Sequence, residues 1–165
     1  MNRIVVYTSK TGFTEKYAKW IAEELKCEAV PLKKANLSEL ANYGQVIYGG
    51  WIMGGMVSGY DKIKKLNLKN LIVFCSGMSV PTDTVRDNIA KQNDIPADRL
   101  FCFEGGFAPD RVGFMGKMIV KMISGSISKK EDKTPEDIHM LEAVKGADNT
   151  DRAAIPPLVE MAETI

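Results

Sequence analysis

The sequence predicts an α/β fold: a parallel sheet covered by helices on both faces. Three observations predict it. Strand-like and helix-like segments alternate from one end of the chain to the other, the pattern that builds successive βα units. Residues 71–75, Leu-Ile-Val-Phe-Cys, are apolar without alternation, as a strand buried on both faces requires. The first apolar run stops in a hydroxyl-rich loop around one glycine, and an amphipathic pattern begins at once. At 165 residues the chain is read as one domain, 1–165, with a single sizeable core.

The elements follow in order. Ile4, Val5, Val6 and Tyr7 form the first strand, and Tyr17, Ala18, Ile21, Ala22 and Leu25 recur at helical spacing in the first helix. Residues 27–32 are the second strand, and residues 37–41 a short helical turn with Asn36 as its cap. Residues 45–48 are the third strand, ended by Gly49 and Gly50. Residues 61–66 continue a lysine-rich helix, residues 71–75 are the fourth strand, and residues 82–93 are a helix bracketed by Pro81 and Ile95-Pro96. Residues 100–103 are the fifth strand. A helix over residues 135–144 and a closing helix over residues 151–165 complete the set, the latter with Val159, Ala162 and Ile165 inward.

Composition narrows the function classes. A net charge of +1 argues against bulk attraction to nucleic acid. The chain opens with Met-Asn-Arg and enters a strand directly, so no secretory signal peptide is expected. Three cysteines form no disulfide framework or zinc motif and are read as buried free thiols, which points to the cytoplasm. His139, on a polar helix, is read as solvated rather than as a metal ligand.

The loop between the first strand and helix suits an anion. It places free backbone N–H groups at the positive end of a helix dipole. Thr8, Ser9, Thr11 and Thr14 add hydroxyls, and Gly12 lets the backbone approach without a side chain in the way. The plainer alternative is an ordinary βα turn capped by Thr14. No Gly-Lys-Ser/Thr triplet closes the loop, which argues against a Walker-type site.

On Val5, Val6, Tyr7, Ser9, Gly12, Thr14, Ala18 and Ile21 the chain resembles the flavodoxin family. The resemblance implies a three-layer sandwich with a five-stranded parallel sheet in the order 2-1-3-4-5. It implies FMN at the switch point of strand order, with its phosphate in the first loop. Thr8, Ser9, Lys10, Thr11, Gly12, Phe13 and Thr14 are then the phosphate-loop candidates. A second loop offers Gly49, Gly50, Trp51, Ile52, Met53 and Gly54, where glycines admit a flat ring and Trp or Met gives it polarizable surface. A third offers Ser76, Gly77, Met78 and Ser79. Packing and simple turns are the alternatives for both.

The fifth strand does not lead straight into the closing helix. Residues 105–150 are read as a helical insertion. Within it Phe114, Met115, Met118, Ile119, Met122 and Ile123 make a broad apolar face beside Lys117 and Lys121. At ~1.5 Å per residue the stretch covers ~16 Å, too little for a ~30 Å hydrocarbon core. It packs on the sheet, lies on a membrane surface, or lines a pocket for an apolar substrate. Gly105-Gly106, Arg111, Phe114, residues 117–123 and Ser124-Gly125 resemble the menaquinone-dependent protoporphyrinogen IX dehydrogenases, FMN proteins of this fold. That resemblance implies an FMN oxidoreductase passing electrons from a porphyrinogen-like donor to a quinone, with peripheral contact at the inner face of the membrane. Phe107, Arg111, Phe114 and Lys117 are its substrate candidates, with Arg111 or Lys117 meeting a propionate. An acid–base residue is not assigned. The rivals are an electron carrier, which is ordinarily strongly acidic, and a flavin-binding regulatory or scaffold domain whose Met-rich helix binds a protein.

Overall fold

The computed structural model describes residues 1–165. The central parallel sheet is built from β1 (Arg3–Tyr7), β2 (Glu28–Pro31), β3 (Gln45–Met53), β5 (Leu71–Gly77) and β6 (Leu100–Glu104). Their order is β2-β1-β3-β5-β6, with the short β4 (Met56–Val57) folded antiparallel onto the end of β3. Without that hairpin strand, this is the expected 2-1-3-4-5 sheet.

Alternating side chains explain why both faces are covered. Val5, Ile47, Ile72 and Phe74 enter one core with Tyr17, Ala18 and Ile21 of α1 (Phe13–Glu24) and Leu158 and Ala162 of α6 (Pro156–Thr164). Val6, Val46, Tyr48, Val73 and Cys75 enter the other, with Tyr60 and Ile63 of α2 (Tyr60–Lys64) and Ile89 and Ala90 of α3 (Asp83–Asn93). Runs with no polar alternation are therefore what a sheet between two helical layers selects.

Several boundaries differ from expectation, each for a local reason. β3 does not stop at Gly49 but continues through Trp51 to Met53. Gly49 and Gly50 are buried strand residues needed for close packing. A methyl group on Gly49 would fall within the Phe74 ring, and one on Gly50 would stand 2.6 Å from the Ser58 carbonyl oxygen. The turn lies five residues later, at Gly54 and Gly55, both with positive φ. Asn36 stands at the N-cap of its turn as expected, but its side chain makes no capping bond to the backbone and bonds Glu39 and Ser38 instead. The closing helix begins only at Pro156, after a 3-10 turn over Arg152–Ala154. Its deeply buried residues are Leu158 and Ala162, while Val159 and Ile165 are partly covered.

Between β6 and α6 the chain forms β7 (Gly106–Phe107), α4 (Gly113–Ser128), α5 (Pro135–Ala143) and β8 (Ala147–Asp148). β7 and β8 pair antiparallel, and the Asn149 N–H donates to the Gly105 carbonyl at 2.9 Å. The excursion thus leaves and rejoins the sheet at one point. Lys16 of α1 fixes that point by binding Asp148 and Thr150, each at 2.8 Å. No helix is long and apolar enough to cross a membrane.

Candidate functional site

A cavity of about 370 Å³ opens at the carboxyl ends of β1, β3, β5 and β6. That lies within the usual range of roughly 300–1,000 Å³ for small-molecule sites. Its lining is mostly apolar.

The first wall is the loop after β1. Gly12 takes a left-handed conformation, φ 101°, and caps α1 in place of Thr14. The Phe13, Thr14 and Glu15 amides find no acceptor in the chain, as first-turn amides of a helix do. The loop's hydroxyls are largely engaged internally. The Tyr48 hydroxyl donates to the Ser58 carbonyl at 2.6 Å, so at the 2.8 Å contact with Thr8 it is Thr8 that donates. Burial pushes the Tyr48 phenol up to about 12, which keeps that proton in place. Ser9 Oγ accepts from the Gly12 N–H at 3.1 Å and holds the turn closed. Thr14 is buried in α1 and shares a 2.7 Å hydrogen bond with Ser76 of β5, which leaves one hydroxyl proton of that pair free. Backbone amides, more than the four hydroxyls, are therefore the groups of this loop left free to meet an anion.

Lys10, Thr11, Phe13 and Thr14 line the cavity, whereas Thr8, Ser9 and Gly12 sit behind it. Trp51, Ile52, Met53 and Gly54 line it from the end of β3, and Lys10 Nζ lies 6.0 Å from the Trp51 ring centre. Gly49 and Gly50 do not reach it. Ser76, Gly77, Met78 and Ser79 form the floor, where the Gly105 N–H donates to the Gly77 carbonyl at 2.7 Å.

The insertion supplies the remaining wall. Phe107 lines the cavity together with Val112, Gly116, Ile119, Val120 and Ile123. Arg111 lies elsewhere than expected: its Nη1 donates to the Thr11 carbonyl at 3.1 Å, against the glycine loop rather than a substrate end. Phe114 is 78% exposed and Lys117 is also on the outer surface, and neither lines the cavity. His139 is half-buried rather than fully solvated. Its Nε2 lies 2.7 Å from Glu104 Oε1, although poorly aligned for a hydrogen bond.

Sequence reasoning missed Cys75 and Cys102 as lining residues. They face each other on adjacent strands, Sγ to Sγ 3.2 Å. Behind them Tyr17, expected on the inner face of the first helix, stacks on Phe103 at 4.7 Å, donates to the Glu104 carbonyl at 2.6 Å and accepts from the Asp151 N–H at 3.0 Å. An available signal was that Cys75 and Cys102 both fall near the carboxyl ends of two consecutive predicted strands.

The flavodoxin-domain family model matches residues 4–135, and the chain belongs to that family. No curated protein matches it significantly. Solved structures similar to it include Flavodoxin 1 from Bacillus cereus, at 17% identity and TM-score 0.45, covering 63% of this chain and 84% of that one. Flavodoxin 2 from Bacillus cereus gives 17% identity and TM-score 0.46, covering 88% of this chain and 96% of that one. A flavodoxin from the domain Archaea gives 14% identity and TM-score 0.45, covering 88% and 97%.

The cofactor of this family is FMN. The site fits it on two observations of this structure. Unpartnered amides stand at a helix N-terminus beside Lys10 and Arg111, which suits a phosphate. An apolar cleft with Trp51 and Met78 in its walls suits a flat heteroaromatic ring.

Proposed function

We propose that this protein is an FMN oxidoreductase that takes electrons from a bulky organic donor of the porphyrinogen class and delivers them to a quinone. The observation that carries the reading is the roof over the cleft: α4 contributes Gly116, Ile119, Val120 and Ile123 to the cavity wall. A flavin edge met by a protein partner needs no such cover, whereas an apolar donor or acceptor gains by it.

FMN supplies the one- and two-electron chemistry when bound. The chain's own residues do the rest. The Phe13, Thr14 and Glu15 amides hold the phosphate, and Lys10 and Arg111 offset its charge. Trp51, Ile52 and Met78 orient the ring, and the apolar residues of α4 keep water from the reacting edge. The outer face of α4 carries exposed Met115, Met118 and Met122 with Lys117 and Lys121 and no acidic residue. That combination complements an anionic lipid surface, where quinones dissolve.

The test is anaerobic oxidation of protoporphyrinogen by FMN-loaded protein with a menaquinone analogue. Wild type is expected to turn over. Val120→Trp, which fills the roofed part of the cavity, should retain flavin and lose at least an order of magnitude in rate. Bound flavin with no turnover would reject the dehydrogenase reading and move the assignment to an electron carrier.

A further inference from the structure

We propose that Cys75 and Cys102 form a thiol–disulfide exchange site in the wall of the cleft, with a small disulfide as its oxidant. The proposal does not depend on the cofactor or on the redox reaction proposed above.

Four observations support it. The two residues are register partners on β5 and β6, and their sulfur atoms stand 3.2 Å apart. Both border the cavity, and Cys102 is the one a ligand in the cleft can reach. Their environments are unequal: Cys75 is 1% exposed and Cys102 is half-buried. The Cys75 thiol donates to Cys102, and the Arg86 guanidinium adds positive charge beside it, so Cys102 is held below the ordinary thiol range. The same hydrogen bond, together with burial, raises Cys75. An accessible sulfur that ionises readily, backed by a buried one that stays protonated, is the division of labour that two-step exchange needs. Cys27 has neither a thiol neighbour nor a place in the cavity, and burial raises it.

The Cys102 thiolate attacks one sulfur of the small disulfide, forms a mixed disulfide and releases one thiolate. Cys75 then gives up its proton and attacks the Cys102 sulfur, which releases the second thiol and closes a Cys75–Cys102 bond. Two protein thiols are oxidised and one disulfide is reduced to two thiols.

Oxidised glutathione is the probe, and the readout is intact mass with peptide mapping of the full chain. Wild type is expected to become lighter by two hydrogen atoms, with Cys75 and Cys102 linked and Cys27 free. Cys75→Ser should stop at one glutathione on Cys102. Cys102→Ser should react at least an order of magnitude more slowly. The proposal is overturned if wild type accumulates the Cys102 adduct without ever closing the link, or if Cys102→Ser reacts at the wild-type rate. The wild-type peptide map decides the first point without any variant having to fold.

Discussion

Gly49 and Gly54 show how one residue type serves two opposite needs. Gly49 is buried in β3, and any Cβ there would occupy the Phe74 ring. Gly54 has φ 58°, lies at the hairpin tip and meets nothing within 4 Å. Overpacking typically costs ~1–3 kcal/mol, so Gly49→Ala should lower the urea midpoint by a corresponding amount. Phe74→Leu in the same chain should recover part of the loss, because the two positions share one space. Gly54→Asn should change stability by less than ~0.5 kcal/mol, since asparagine tolerates the left-handed region and the site is open. If both substitutions cost the same, the distinction between a packing glycine and a turning glycine fails here. The sequence showed four glycines around Trp51 but not which of them turn the chain. Gly49 is set by a ring 25 positions away, and its meaning is tertiary. The hydroxyls of Thr8 and Thr14 are similar cases: their partners, Tyr48 and Ser76, belong to other strands.

At the scale of elements, periodicity made most of the fold legible. β1, β5, α1 and α3 were readable because each has a strong pattern and local boundary signals. The end of β3 was not, because glycine reads as a break wherever strand packing is unknown. α5 was expected over residues 135–144, and the structure shows what starts it. Thr134 Oγ1 accepts from the Asp137 N–H at 3.2 Å, and Asp137 Oδ2 accepts from the Thr134 N–H at 3.1 Å. Lys130 Nζ adds a bond to the same carboxylate at 2.9 Å. The Lys130 hydrogen bond, followed by the Thr134 N–H, holds the Asp137 carboxyl below its usual range. A carboxyl lowered in the fold adds stability above its unfolded pKa and loses that contribution as pH falls through the folded value. Wild type should therefore melt above Asp137→Asn at neutral pH, and the gap should shrink as the solution is acidified through and below the carboxylate range. A gap independent of pH would show that the cap acts through shape alone.

At the scale of the molecule, α4 stands between two apolar environments. Its inner residues Gly116, Ile119, Val120 and Ile123 border the cavity, and its outer residues Phe114, Met115, Met118 and Met122 face solvent. None of its residues is fully buried. The apolar stripe was visible in the sequence, but its division into two faces was not, because helical spacing gives an angle and not a neighbour. The outer face does little for folding, since substitutions at exposed positions usually fall within ~0.5 kcal/mol. Its proposed role at an anionic lipid surface can thus be separated from stability. Replacing Met115, Met118 and Met122 together by Gln should leave the thermal midpoint and the flavin complex unchanged, yet abolish flotation with vesicles rich in anionic lipid. Lys117→Glu with Lys121→Glu should weaken flotation most at low salt, because basic residues near such a surface contribute ~1 kcal/mol each and are screened within a Debye length of ~10 Å at ~0.1 M salt. With a net charge of only +1 on the whole chain, attraction to the vesicle has to be local rather than global. A triple-Gln variant that floats like wild type would remove lipid as the occupant of this face.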